Sequence, residues 1–241
     1  MIKIYLVRHG ENKANITKEF SCKVIDYPLT PKGKIQAQQT AEYFADKDIH
    51  EIYASPLKRA TETAQAIGTL LNLPVTVMET FREINVGTLE TEPVTVENWM
   101  LYKQIIEDWI SGKVETAFPN GENYITLLER MKTGVKQIVA DKTNRNIVIV
   151  GHGGIFTCTL NDLCQNVDIN QLFTQLIHNC AVTEIVVELQ NNQITGELIQ
   201  WAYSDHMHGE AADFVLGVLR DGDELPDLTG FKNLSGLRTE E

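Results

Sequence analysis

The chain has 241 residues, of which 43% are hydrophobic and 22% charged, and its 21 basic and 33 acidic side chains give a formal net charge of −12. This composition predicts one domain with a large core, and the negative charge excludes nucleic acid and anionic membrane surfaces as expected partners. No apolar run reaches the length of a membrane span. The four cysteines show no CxxC spacing and no secretory signal precedes them, which predicts free thiols in a cytoplasmic protein.

Strand and helix patterns alternate along the chain, which predicts an α/β fold. The predicted strands are IKIYLV near the start, EIYAS from Glu51, residues 75–78 and NIVIVG from Asn146. Helices are predicted after Thr30 and after Ser55, each expected to cap a helix that opens with proline, and over residues 96–110 and 121–142. The segments VTEIVVEL and QITGELIQWAY flank three polar residues and predict a hairpin at the sheet edge.

Two of the predicted strands end at a histidine beside glycine. Arg8 and His9 follow the first strand, and His152 with Gly153 follows the strand NIVIVG. Ligands of open α/β sheets bind beyond the carboxyl ends of the strands. Glycine lets an anion approach backbone N–H groups, and Arg8 offers a fork of donors that suits phosphate oxygens. Because Arg59 adds a second guanidinium near a predicted helix N-terminus, the sequence predicts a site for a phosphoryl group.

At these residues the chain resembles the histidine phosphatase, or phosphoglycerate mutase-like, superfamily. The resemblance rests on ordered motifs between residue 4 and about residue 208, namely LVRHGENKAN, DYPLTPKGKIQA, SPLKRATETA, REINVG, NGENYITLLERM and GHGG. It implies a three-layer α/β/α sandwich with a mainly parallel sheet. We expect a single domain over residues 1–208, within which residues 88–125 form a lid over the strand ends, and a C-terminal tail over residues 209–241.

The resemblance implies that His9 is the nucleophile, that Glu83 is the proton donor, and that the phosphate pocket consists of Arg8, Asn15, Arg59 and His152. A neutral imidazole with one nitrogen held by an acceptor attacks phosphorus and forms a phosphohistidine that water cleaves. The two arginines are expected to lower the pKa of His9 and to stabilise the transition state, so that neither metal nor cofactor is expected. Glu83 then protonates the leaving oxygen and later activates water.

The acid and the remaining histidines have competing interpretations. Arg82 could simply pair with Glu83, which leaves Glu79 and Glu90 as alternative acids. A metal site is suggested by the nearby pair His206 and His208, but two histidines alone make a poor site. We expect an ordinary structural role for the last two histidines, His50 and His178.

The chain departs from the family pattern at Leu89, Thr91 and Thr157, where tryptophan, glycine and arginine are common. Its segment 88–125 has seven acidic residues against Lys103 and Lys113, which argues against a polyanionic substrate and against the basic insertion of mutases. We therefore expect a phosphomonoesterase acting on a small phosphorylated metabolite. A phosphoglycerate mutase and a non-catalytic phospho-ligand sensor are the alternatives, and a homodimer is compatible with the sequence.

Overall fold

A computed structural model of the protein describes residues 1–173, 177–215 and 217. Within these residues one sheet contains six strands, β1 Ile2–Arg8, β2 Glu51–Ala54, β3 Val75–Val77, β4 Arg145–Gly151, β5 Val182–Gln190 and β6 Gln193–Tyr203. The strand order is β3-β2-β4-β1-β5-β6, with β1 to β4 parallel and β5 and β6 antiparallel. The predicted mainly parallel sheet and its edge hairpin are confirmed.

Seven α-helices lie between the strands in the described residues. They are α1 Lys13–Thr17, α2 Pro31–Tyr43, α3 Lys58–Leu71, α4 Val96–Ile110, α5 Tyr124–Val139, α6 Gly153–Leu163 and α7 Ile169–Leu172. Short 3-10 segments occupy Glu79–Phe81, Gly87–Glu90 and Gly209–Ala212. The side chains of Thr30 and Asn123 cap α2 and α5 as N-cap residues do, so the helix predicted from residue 121 begins at Tyr124.

The predicted cap at Ser55 is wrong. Helix α3 begins at Lys58, and Leu57 takes the N-cap position without a side-chain hydrogen bond. The Ser55 hydroxyl is instead within hydrogen-bond distance of the His152 ring, 2.7 Å from Nε2. The residue that the pattern assigned to helix capping therefore belongs to the site at the strand ends.

The sheet separates two apolar layers, because side chains alternate along buried strands. In β1, Ile4 and Leu6 join the core formed by α5 and α6, whereas Tyr5 and Val7 join the core formed by α2 and α3. This arrangement confirms the three-layer α/β/α sandwich. In the part of the chain that the structure describes, no helix has both the length and the apolar character needed to cross a bilayer.

The pairing of β1 with β4 positions the site. Arg8 lies opposite Gly151 in the parallel register, and the N–H of His9 donates to the carbonyl of Gly151 over 3.0 Å. Both strands therefore end at the same level. The residue that follows each strand is a histidine, and the two imidazole rings lie 5.2 Å apart between centroids.

Candidate active site

His9 is held as a neutral imidazole. It is buried, and its Nδ1 lies 2.7 Å from the carbonyl oxygen of Gly10. Since a carbonyl only accepts, Nδ1 carries the proton and Nε2 keeps its lone pair. Burial lowers the pKa of His9 well below its ordinary value, and the charges of Arg59 and Arg8 lower it further. The direction predicted from the two arginines is confirmed, with burial as the larger cause.

Arg59 links the second histidine to a loop. Its guanidinium donates to the hydroxyl and carbonyl of Ser21, over 3.0 and 2.7 Å, and to Nδ1 of His152 over 3.1 Å. Burial lowers the pKa of Arg59 to about 10, so the group stays charged at neutral pH. Both His152 nitrogens are engaged, by Arg59 and by Ser55. His152 therefore lies behind Arg59 and is fully buried.

Arg8 and Asn15 present donors to the cavity. Arg8 donates to the carbonyl of Ile177, and burial lowers its pKa to about 10. The side-chain oxygen of Asn15 accepts from the backbone of Asn12 and from the amide of Asn179, both over 3.1 Å. Because that oxygen is occupied, the Nδ2 group of Asn15 is the part left to donate to a ligand.

The glycines beside the histidines serve two purposes. A Cβ on Gly10 would lie 2.6 Å from the carbonyl oxygen of Gly33, so this glycine is required by protein packing. A Cβ on Gly153 would meet only Arg8, at 3.6 Å or more, and Gly153 lines the cavity. The close approach of an anion to the backbone therefore remains a prediction for Gly153. At Gly10, packing against Gly33 is sufficient to explain why the residue is glycine.

Glu83 rests on the N-terminus of α6. One carboxylate oxygen accepts from the N–H groups of Ile84 and Ile155, each over 2.9 Å, and the other accepts from Gly154 over 3.1 Å. A Cβ on Gly154 would lie 2.7 Å from that carboxylate, so glycine permits the close approach. These three backbone N–H groups fix the position of the Glu83 carboxyl group at the edge of the cavity.

The competing acids are engaged elsewhere. Glu79 pairs with Arg82 through two contacts of 2.9 and 3.0 Å, and its side chain is 73% exposed. Glu90 is buried, and one of its oxygens accepts from four successive backbone N–H groups, those of residues 22–25. Of the three candidate carboxylates, Glu83 alone lines the cavity within the described residues. Arg82 pairs with Glu79 in the structure, which does not support the alternative interpretation that Arg82 pairs with Glu83.

These groups surround a cavity of about 540 Å³. We call the part of the lining formed by His9, Arg8, Asn15, Arg59 and Glu83 the phosphoryl end. The lining also includes residues 19–22 of the loop before α2, of which Ser21 contacts Arg59, and residues of α4. Helix α4 lies within the segment 88–125 expected to form the lid, so part of that segment borders the cavity.

Part of the C-terminal segment also reaches the cavity. Its backbone is anchored by Gln36, whose amide donates to Ala211 over 3.1 Å, and by Lys32, which donates to Asp213 over 2.6 Å. Gly217 lines the cavity, and a Cβ built on it would lie 3.2 Å from Arg8 Nη2. The tail predicted over 209–241 otherwise falls outside the described residues, apart from positions up to 215.

The remaining histidines make separate contacts. The His206 ring lies 4.8 Å from the Tyr43 ring between centroids, and its Nε2 lies 3.0 Å from the Thr40 hydroxyl. His208 lies 3.4 Å from the amide of Gln39. Among the residues that the structure describes, no three His, Cys, Asp or Glu side chains are grouped to hold a metal ion. His178 contacts Ala212 in the C-terminal segment over 3.1 Å. The four cysteines are buried free thiols.

Sequence patterns missed three groups of this site. Ser21 accepts from Arg59, and Glu90 fixes the adjoining residues 22–25. Asn12 borders the cavity but is fully buried, and its Nδ2 has no hydrogen-bond partner. Contacts between residues as far apart in the chain as 22 and 90 produce no periodic pattern. The sequence therefore did not indicate that Glu90 fixes this loop or that Ser21 orients Arg59. Asn12 had a local signal, since it stands in the same motif as His9 and Asn15.

Paired histidines at the carboxyl edge of a mainly parallel sheet, in a three-layer sandwich, place the protein in the phosphoglycerate mutase-like α/β class. The chain belongs to the histidine phosphatase superfamily (branch 1), whose family model matches residues 4–199. The resemblance seen in the sequence motifs is thereby confirmed.

Similar proteins include both phosphatases and mutases by name. PhoE of Bacillus subtilis, named an uncharacterized phosphatase, is 31% identical over 180 residues, which is 75% of this chain and 86% of PhoE. A Yersinia enterocolitica protein named "Probable phosphoglycerate mutase GpmB" is 31% identical over 166 residues, or 68% of this chain and 75% of its own. The solved mycobacterial glucosyl-3-phosphoglycerate phosphatase with VO3 shares the fold, with a TM-score of 0.70 at 23% identity over 84% of this chain and 99% of that one.

Proposed function

We propose that the protein is a phosphomonoester hydrolase that acts through a covalent phosphohistidine on His9. The observation that carries the proposal is the state of this ring. Its Nδ1 proton is committed to the Gly10 carbonyl at 2.7 Å, and burial and two arginines hold the pKa low. The lone pair on Nε2 is therefore available at neutral pH, beside donors that suit a phosphoryl group.

Residues of this cavity supply the nucleophile, the acid and the positive charges that the reaction requires. Nε2 of His9 attacks phosphorus, the bond from phosphorus to the ester oxygen breaks, and protonated Glu83 gives its proton to the departing alkoxide to form the alcohol. Arg8 and Arg59 stabilise the charge on the equatorial oxygens. Water then attacks the phosphohistidine, Glu83 takes its proton, and the P–N bond breaks to release inorganic phosphate.

The test compares His9→Ala with His208→Ala. His208 is an exposed histidine outside the cavity lining and serves as the control. Wild-type protein and the control, quenched in alkali during turnover, should carry acid-labile phosphate. His9→Ala should carry none and lose essentially all turnover. Near-normal activity of His9→Ala, or phosphate bound at another residue, would show that the nucleophile is assigned wrongly.

A phosphoglycerate mutase remains the second candidate because of relatives that bear the GpmB name. A mutase has to hold a phosphorylated carboxylate and shield the phosphoenzyme from water. Among the described residues that line the cavity, the cations are Arg8, Arg59 and Lys103, and the last lies on α4 with Glu107 one turn away. Release of inorganic phosphate from phosphoglycerate or other esters supports the hydrolase, whereas interconversion of phosphoglycerate isomers without phosphate release supports the mutase.

A phospho-ligand sensor of the same fold is tested by the same assay. Such a protein would bind inorganic phosphate yet release none from any ester. The free lone pair on His9 and the carboxylate of Glu83 favour the enzyme, because binding alone requires neither a nucleophile nor an acid.

A further inference from the structure

Three aromatic rings form one wall of the cavity beyond its phosphoryl end. Phe20 comes from the loop before α2, and Trp99 and Tyr102 come from α4. The ring centroids of Phe20 and Trp99 lie 4.4 Å apart, and each lies 5.4 Å from the centroid of Tyr102. These distances are those of mutually packed rings, so the wall is a preformed aromatic surface.

None of the three rings of this wall carries a charge. The indole N–H of Trp99 donates to the carbonyl of Lys18 over 3.1 Å. Burial raises the pKa of Tyr102 well above its ordinary value, so its phenol stays neutral. Ile106 and Leu172, both buried, extend the apolar lining. The wall thus offers aromatic and aliphatic carbon to the group that is attached to the phosphate.

The charges at this end disfavour an anionic leaving group. Within the described lining, the cation outside the phosphoryl end is Lys103, and the carboxylates there are Glu19 and Glu107. The lining groups outside the phosphoryl end therefore carry two negative charges and one positive charge. Repulsion by the two carboxylates disfavours a substrate that carries a second anionic group.

We infer that the preferred substrates are phosphomonoesters of aromatic, uncharged alcohols, with the ring packed against Phe20, Trp99 and Tyr102. The inference rests on the proposed hydrolase function and deepens it. Phosphorylated carboxylic acids such as phosphoserine and phosphoglycerate are then poor substrates. The phosphoryl end supplies affinity shared by all esters, and the aromatic wall supplies the discrimination among them.

The first experiment compares esters that leave as primary alcohols, so that leaving-group chemistry differs little. Benzyl phosphate, ethyl phosphate and phosphoserine are assayed with the full-length protein under identical conditions. We expect kcat/KM for benzyl phosphate to exceed each of the others by about tenfold or more, which corresponds to about 1.4 kcal/mol of differential binding. Equal values for benzyl phosphate and phosphoserine would overturn the inference.

The second experiment removes a ring from the wall. Trp99→Leu should lower kcat/KM for benzyl phosphate by about tenfold and leave that for ethyl phosphate within about twofold. Phe20→Leu, at a partly exposed position, repeats the test where folding is less at risk. Trp201→Leu on β6 is the matched control outside the cavity and should leave both values unchanged. A loss of equal size for both esters would contradict the role of the wall.

Binding without turnover separates the inference from the proposed function. Calorimetry with benzylphosphonate and methylphosphonate, which carry no cleavable ester, should show tighter binding of the aromatic compound by about tenfold. Tighter aromatic binding without hydrolysis of any ester would overturn the hydrolase proposal and keep the aromatic preference. Hydrolysis of esters with equal binding of the two phosphonates would keep the hydrolase and overturn the aromatic preference.

Discussion

Arg59 donates to Nδ1 of His152 over 3.1 Å, and this contact decides where the imidazole proton lies. A guanidinium has no acceptor, so Nδ1 must be unprotonated and Nε2 must carry the proton that Ser55 receives over 2.7 Å. Burial and the charge of Arg59 lower the pKa of His152 well below its ordinary value, in agreement with a neutral ring. His152 therefore positions Arg59 in this structure, and a direct contact with the phosphoryl group stays a prediction.

Ser55→Ala tests this chain of contacts. The substitution leaves the Nε2 proton of His152 buried without a partner, a defect that costs about 1–3 kcal/mol of folding free energy. We expect a lower denaturant midpoint together with a lower kcat/KM, because the ring that positions Arg59 is no longer fixed. Thr61→Ala is the control, since its hydroxyl bonds only its own helix, and it should change both measurements little.

Glu83→Gln tests the proton donor. A general acid matters most when the departing oxygen is strongly basic, so the variant should lose far more kcat/KM with alkyl phosphates than with nitrophenyl phosphate. The measurement is the ratio of mutant to wild-type kcat/KM across leaving groups of rising basicity, which reports the steps up to the covalent intermediate. A ratio independent of the leaving group would remove Glu83 from this role.

Glu90→Gln tests the loop that orients Arg59. One carboxylate oxygen accepts four N–H groups of residues 22–25, and these hydrogen bonds lower the pKa of Glu90 against the opposing effect of burial. The amide is a weaker acceptor than the carboxylate. We expect Ser21 to hold Arg59 less firmly, with weaker inhibition by inorganic phosphate and a lower kcat/KM.

Glu79→Gln is the matched control for this experiment. Its carboxylate is exposed and paired with Arg82 at the surface, where an ion pair contributes little. An effect of Glu79→Gln as large as that of Glu90→Gln would contradict a specific role for the loop.

Variants of Asn12 test whether its unpaired amide contacts the phosphoryl group. Its oxygen caps α1 through Asn15, whereas its buried Nδ2 has no partner. Asn12→Ser keeps an N-cap hydroxyl and removes the amide donor. If Nδ2 contacts the phosphoryl group, inhibition by inorganic phosphate should weaken by about tenfold while the denaturant midpoint stays near that of wild type. Asn12→Asp should weaken it further through charge repulsion, and unchanged inhibition in both variants would leave Asn12 as a cap alone.

His206 should make the fold sensitive to acid. Burial lowers its pKa to about 4 from a model-peptide value of 6.5, with His178 and Lys47 acting in the same direction and Asp205 against it. The folded state binds the proton less well than the unfolded chain, so the stabilisation is complete above about pH 6.5 and is lost as the pH falls towards 4.

The variant His206→Phe keeps a ring beside Tyr43 and Tyr203 and removes the titration. The free energy of unfolding should then fall less steeply between pH 6.5 and 4, by up to about 1.4 kcal/mol for each pH unit. His9 and His152 titrate in the same direction in both proteins, so the difference in slope reports His206. Identical slopes would contradict the assignment.

Local patterns predicted the six strands and four of the seven α-helices that the structure describes. The strands were visible because burial of β1 and β4 on both faces requires continuous apolar runs, which the sequence displays. The motif around His9 and the glycines around His152 were likewise visible in short stretches. The sequence could not show which polar side chains form hydrogen bonds with residues far away in the chain. Ser55 has both the residue type and the proline neighbour of a cap, yet its hydroxyl meets a ring 97 positions away.

The same limit explains the uncertainty over the acid. Glu79, Glu83 and Glu90 are of one chemical type within one short stretch, and no periodic rule ranks them. Their surroundings differ only after folding, when Glu79 reaches solvent, Glu83 reaches the N-terminus of α6 and Glu90 enters the loop at residues 22–25. Side-chain partners rather than backbone pattern therefore separate the three.

The pairing of Arg8 with Gly151 in the parallel ladder of β1 and β4 has a consequence for preorganisation. Each histidine is the first residue after its strand. The hydrogen bonds between β1 and β4, two buried strands, therefore set the distance between the two rings. Rotational and translational freedom of the two rings is lost when the sheet forms, and an arriving substrate does not have to restrict it again. The loops around the cavity can therefore change in length and composition, and with them the choice of alcohol, while the geometry of the phosphoryl end is preserved.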